Sequence, residues 1–151
     1  ERRNWSAACM GAMAVVRVAK ALAGMGLEPI LPTAEIDARY RVDLLAESPT
    51  DTDWLLCLQI KSDQREPVSS VRSLLPGNVP TTEETKDIRT IREWMRRFAT
   101  LALRPVVPAL VCVGRDGLAP WECKDASPLH DALRDLPIET RIPCCPARAP
   151  P

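Results

Sequence analysis

The sequence predicts one α/β domain, with helices flanking a central mixed β-sheet. Three observations predict it. An apolar helical stripe runs through residues 6–26, and two apolar strand-like runs flank a polar turn between residues 43 and 61. A second helical stripe then leads into a further apolar run that ends at residue 113. At 151 residues, with 46% hydrophobic and 26% charged side chains, the chain can bury one full core. Twenty basic and twenty acidic residues cancel. A global pull toward nucleic acid or an anionic membrane is thereby excluded, and any such attraction falls to local patches.

The first helix is expected over residues 6–26, with Ser6 as N-cap and Gly24 or Gly26 as stop. Arg17 and Lys20 share one face, which leaves Met10, Met13, Ala14, Val18, Ala21, Leu22 and Met25 for burial. The two charges and the glycines of this stretch argue against a membrane span. Residues 27–32 predict a short edge strand, because Pro29 and Pro32 cannot donate ladder hydrogen bonds. Residues 33–40 read as a polar connection carrying Glu35 and Asp37.

The runs around the turn 48–53 predict a hairpin, and residues 62–80, rich in proline and serine, an irregular loop. A second helix is expected from Thr81 or Thr82, since Thr81 and Glu84 have capping-box spacing. Its buried stripe is Ile88, Ile91, Met95, Phe98 and Ala102. Residues 105–113 predict a buried strand, 118–123 a partner strand and 127–133 a short helix. The proline-rich end predicts an extended or disordered tail. Residues 1–124 thus form the expected core and 125–151 an extension. Glu1 in place of Met leads us to expect a fragment or processed chain with neighbouring domains.

Chemistry concentrates at the hairpin. Successive strand side chains alternate faces, so Gln59 and Lys61 share one, and pairing of the two runs brings Asp43 toward both. A carboxylate, an amide oxygen and an ammonium at one sheet end suit a hard cation and a phosphate.

Asp43 followed by Gln59-Ile60-Lys61 on a hairpin, after an amphipathic helix and before a helix and an apolar strand, resembles the restriction-endonuclease-like, or PD-(D/E)XK, superfamily. The likeness covers residues 8–124 and implies a restriction-endonuclease-like core. It further implies a cytoplasmic, Mg²⁺- or Mn²⁺-dependent endonuclease that hydrolyses DNA, with a role in defence against foreign DNA. Asp43 matches the metal-binding aspartate. Gln59 stands at the second ligand position in place of the family's acid, and Lys61 matches the lysine that orients water or steadies phosphate charge. The glutamate that many members carry on the first helix falls near Val15 and is absent, so Glu35 and Glu47 are the candidate auxiliary acids. Arg65 and Arg72 after the triplet, and Arg89, Arg92 and Arg96 on the second helix, are candidate nucleic-acid contacts. RNA stays open beside DNA, as does a homodimer.

Two other readings stand beside this one. The same fold without activity would bind nucleic acid or a protein partner. A zinc-stabilised module would use Cys123, His130, Cys144 and Cys145, although adjacent cysteines lack the usual ligand spacing. Cys57 and Cys112 lie in apolar runs, where reduced thiols act as small hydrophobes in a reducing compartment. Trp94 and Trp121, in periodic apolar segments, are expected to pack in the core rather than stack on bases.

Overall fold

Side-chain alternation along three strands builds two hydrophobic layers, one on each side of a five-stranded sheet. The computed structural model describes residues 2–50, 53–63, 65–74 and 86–115, side chains 2–4 excepted. Along the chain run α1 (Arg2–Gly24), β1 (Glu28–Ile30), α2 (Ala34–Tyr40), β2 (Leu44–Glu47), β3 (Leu55–Ser62), β4 (Ser70–Ser73), α3 (Lys86–Ala102) and β5 (Val106–Val113). The sheet order is β1-β2-β3-β5-β4. β3 and β5 are parallel and every other pair is antiparallel, so the expected mixed sheet with flanking helices is present.

One layer joins Ala14, Val18 and Leu22 of α1 to Leu44, Ala46, Leu56, Leu58, Val107, Ala109 and Val111. The other joins Ile88, Ile91, Met95 and Phe98 of α3 to Leu45, Leu55, Cys57, Val106 and Leu110. Leu22, Leu44, Leu58, Leu74 and Met95 are fully buried. Each contributes about 1.5–3 kcal/mol of burial.

α1 ends where glycine allows it. Gly26, at φ 81°, takes the left-handed turn, Gly26 N–H reaches Ala23 O, and Leu27 N–H reaches back to Leu22 O at 3.0 Å. This is the Schellman pattern, closed by the apolar pair Leu22 and Leu27. The helix begins before Ser6, which therefore does not cap it, and Met13 is exposed rather than buried. Over Trp5–Gly24 the helix is long and apolar enough to cross a membrane by length and composition, a test the sequence reading expected it to fail. Its buried stripe packs on the sheet.

Two further expectations are corrected. Residues 34–40 form a helix, not a polar connection: Thr33 Oγ1 accepts from Ile36 N–H as N-cap, and Glu35 and Asp37 sit in the first turn. α2 is anchored by Tyr40, whose ring lies 5.6 Å from that of Phe98. The loop after β3 contains β4 and is fastened to the end of β5. Asp63 N–H donates to Val113 O, Arg115 N–H to Glu66 O, and Gly114 N–H to Ser69 Oγ. β5 tolerates Pro108 because its carbonyl faces β4, accepting from Leu74 N–H just past the end of that strand. The missing donor thus falls where little pairing is left. The expected cap at Thr81 or Thr82 lies outside the described residues. So do the strand over 118–123 with Trp121, the helix over 127–133, the C-terminal tail, and Cys123, His130, Cys144 and Cys145.

Two glycine substitutions test this packing. A Cβ on Gly114 would stand 2.7 Å from the Val68 backbone, whereas one on Gly11 meets nothing within 4 Å. Gly114→Ala should therefore lower unfolding stability by about 1–3 kcal/mol in urea titrations. Gly11→Ala, in mid-helix, should raise it by about 0.5–1 kcal/mol.

Candidate functional site

Beyond the core, β3 keeps alternating but its residues change character. Leu55 and Cys57 point into the α3 layer, and the next two positions on that face are Gln59 and Lys61. Asp43 immediately precedes β2, where its N–H donates to Leu58 O at 2.8 Å. That bond sets the carboxylate beside β3. Its Oδ2 accepts from Gln59 Nε2 and from Ile60 N–H, both at 2.5 Å. The hairpin therefore joins Asp43 directly to Gln59. Lys61, two residues on, shares with Gln59 a cleft of about 310 Å³ whose other walls are Arg41, Asp87, Thr90 and Ile91.

Burial pushes the Asp43 carboxyl above the usual carboxylate range. The hydrogen bond from Ile60 opposes that shift, the Asp37 carboxylate adds to it, and the Gln59 bond and Arg41 oppose it more weakly. An ionised Asp43 is thus held at a cost that positive charge in the cleft would offset.

Arg41 carries a second cost. It caps α2 in the left-handed conformation, at φ 56° and ψ 39°, with its N–H on Asp37 O. Glycine or asparagine occupies such a position more cheaply. The long cation there lines the cleft.

Hard oxygen donors are what Mg²⁺ or Mn²⁺ requires, and Mg²⁺ sites commonly use one or two carboxylates with waters and substrate phosphates. Asp43 meets that minimum, and its Oδ1 takes no hydrogen bond among the described residues. Gln59 presents its NH₂ to Asp43. Half a turn of the amide would present Oε1 instead, at the cost of that charge-assisted hydrogen bond, which a cation between the two oxygens would have to offset. Among the described residues no group of three or more His, Cys, Asp or Glu side chains is placed to hold a metal. One carboxylate and one amide fall short of a closed protein cage, so an ion here would need waters and substrate phosphate for its remaining ligands.

The other sequence candidates separate. Glu47 sits at the opposite end of β2 from Asp43, about 13 Å along the strand. There it accepts from Arg104 Nη1 at 2.8 Å, and Arg104 Nη2 also holds Trp54 O. Glu35 is exposed on α2 and pairs with Arg39 at 3.8 Å. Neither lines the cleft; Asp43 does not line it either, but it is bonded to Gln59, which does. Val15 packs against the α1 layer.

Arg72 is exposed on β4, opposite Leu110, which is also the partner of Gln59. The two therefore share a face, about 10 Å apart across two strand spacings. Arg65 is exposed on the turn after β3. Arg92 turns inward, its Nε donating to Leu74 O at 2.8 Å, which gives it a structural task. Arg96 is held by Glu93 at 2.9 Å, and Arg89 lines a separate groove on α3. Trp94 belongs to neither core cluster but lines that groove, with the Arg97 guanidinium 5.6 Å from its ring centre.

Sequence reasoning missed Arg41, Asp87 and Thr90 as cleft residues. The run from Thr33 to Asp37, an N-cap followed by acids, carried the signal for α2 and hence for Arg41 at its end. Asp87 is acidic in the first turn of α3, which by itself signals only a favourable helix start.

The raised pKa gives a signed prediction. A carboxyl that titrates higher in the folded state adds stability below its unfolded pKa and loses that contribution as pH rises through the folded value. At neutral pH Asp43 is therefore a burden. Asp43→Asn, which keeps an acceptor oxygen, should unfold at higher urea concentration than the parent at pH 7. That advantage should fade as pH falls toward the ordinary carboxylate value, about 4. Lower stability of the variant at pH 7 would make the carboxylate a structural group. No family model, curated protein or solved structure matches the chain.

Proposed function

We propose that this chain is a nuclease-fold domain that binds a phosphodiester in the cleft beside β3 and hydrolyses it with Mg²⁺ or Mn²⁺. DNA is the first substrate class to test, and RNA the second. One observation carries the proposal: Asp43 and Gln59 are hydrogen-bonded to each other on the face where Lys61 and Arg41 line an open cleft. Asp43 and Gln59 would hold the ion. When bound, it would polarise the phosphate and lower the pKa of a bound water. Lys61 supplies a compact positive charge aimed at the charge that develops on the phosphate. Arg41 supplies a fork of donors suited to a phosphate's oxygens. The sheet end is fixed by two backbone-anchored strands, so the charges need little reorganisation to act.

A second reading has its own support. The Gln59 amide and the Ile60 N–H already close on Oδ2 of Asp43, so one carboxylate oxygen is held without a cation. That favours a domain that binds nucleic acid without cutting it.

Incubation with plasmid and single-stranded DNA, with and without Mn²⁺, separates the two. The enzyme reading expects Mn²⁺-dependent cleavage that falls at least about 100-fold in both Asp43→Ala and Lys61→Ala. Cleavage persisting in both variants removes this site from consideration. Binding without cleavage, weakened by Lys61→Ala, selects the silent domain. Arg41→Gly gives a check that does not depend on turnover. It should leave unfolding stability unchanged or up to about 1 kcal/mol higher by relief of the left-handed arginine. It should also weaken DNA binding in anisotropy titrations. A variant that is less stable and binds normally would assign Arg41 to the fold alone.

A further inference from the structure

The outward side of α3 carries a groove of about 400 Å³ lined by Lys86, Arg89, Thr90, Glu93, Trp94 and Arg97. These positions recur at three- and four-residue steps, so they form one continuous strip, about 16 Å long from residue 86 to residue 97. The buried stripe Ile88, Ile91, Met95 and Phe98 holds the helix to the sheet and leaves this strip outward. The groove and the cleft adjoin at Thr90, which lines both. Together they set five cations, Lys61, Arg41, Lys86, Arg89 and Arg97, against the carboxylates of Asp87 and Glu93. A chain of zero net charge thus gathers positive charge along one path.

Trp94 makes the path more than a charged helix face. Its ring is half-buried, outside both core clusters, and covered by the Arg97 guanidinium. Glu93 holds Arg97 at 3.0 Å and Arg96 at 2.9 Å, all three side chains being well exposed. An exposed ion pair of this kind is worth less than a base stacked on an aromatic ring. A base can therefore displace the guanidinium from the ring, freeing Arg97 for the adjoining phosphate.

We propose that this groove is a binding subsite for single-stranded nucleic acid. A base stacks on Trp94, Lys86, Arg89 and Arg97 hold phosphates, and the strand passes Thr90 into the cleft. A rigid duplex keeps its bases stacked on each other and cannot offer one to the ring, so the groove selects single or frayed strands. The destination of the strand rests on the nuclease reading of the cleft, but binding in the groove does not.

The test keeps catalysis out of the measurement. Asp43→Ala protein in EDTA is titrated by anisotropy with labelled oligo(dT), oligo(U) and a duplex, each about twenty nucleotides long to exceed the usual single-strand site size. Both single strands should bind more tightly than the duplex, and oligo(dT) against oligo(U) reports the preference for DNA or RNA. Trp94→Ala should weaken single-strand binding about tenfold or more, and Trp94→Phe should restore most of it because the stacking face returns. Replacing both exposed cations, Lys86→Ala with Arg89→Ala, should lower the slope of log affinity against log salt by about 1.4.

Trp94→Ala protein that is folded by circular dichroism and binds like its parent overturns the proposal. Equal losses for duplex and single strand overturn it as well. Should Trp94→Ala fail to fold, the comparison of Trp94→Phe with Trp94→Leu decides, since only the first keeps an aromatic face. The nuclease reading fails separately. Without Mn²⁺-dependent cleavage but with Trp94-dependent binding, the groove stands and the enzyme falls. With Asp43-dependent cleavage and Trp94-independent binding, the reverse holds.

Discussion

Eight consecutive residues of β3, Leu55 to Ser62, pair in parallel with Val106 to Val113 of β5, and the rest of the molecule is arranged around that ladder. Parallel strands need a long crossover, which places α3 between them in sequence and over one face of the sheet in space. β2 closes the other side of β3 with Leu44 opposite Leu58. A strand paired on both sides cannot slip by one residue without moving every side chain to the wrong face. Even positions of β3 therefore remain with α1 and odd positions with α3. Gln59 and Lys61 inherit their direction from Leu55 and Cys57. The placement of the site is thus a by-product of the register that buries the core.

Against that rigid frame, two local choices work against stability. Asp43 is kept in a partly buried place where burial disfavours its charge. Arg41 occupies a left-handed position that suits glycine. Lys61, by contrast, is exposed near the end of β3 and carries no such cost. Stability alone would choose otherwise at Asp43 and Arg41; Arg41 lines the cleft, and Asp43 is bonded to Gln59, which also lines it. Local costs of this kind are what the proposed function of the cleft would account for. The Asp43–Gln59 bond moderates the cost at Asp43. A second carboxylate at position 59 would repel the first, whereas an amide donates to it.

The sequence made the major elements legible because their periods are unambiguous. The stripe from Ile88 to Phe98, the apolar run into Val113 and the alternation from Leu55 to Lys61 each match one geometry. The Asp43, Gln59 and Lys61 grouping followed from that alternation plus one hairpin. What was lost was short or nonlocal. α2 has seven residues and no fully buried side chain, so no stripe announces it. β4, at four residues, exists through its pairing with β5. Glu47 looked close to Asp43 in sequence, yet an extended strand carries it away to Arg104. Trp94 has the spacing of an apolar helix but sits beside the stripe, and only the sheet's position shows which side faces out. Asp87 and Thr90 join the cleft through tertiary packing that no local pattern encodes.

The backbone N–H of Ile60 and the amide of Gln59 both close on the same carboxylate oxygen. Two bonds that shape the hairpin end are therefore supplied by the polypeptide itself. The frame can assemble in full before any ion or polymer is encountered, unlike small metal-folded domains whose chains collapse only around their cation. Were the proposed ion required for activity, withdrawing it would silence the protein reversibly without melting it.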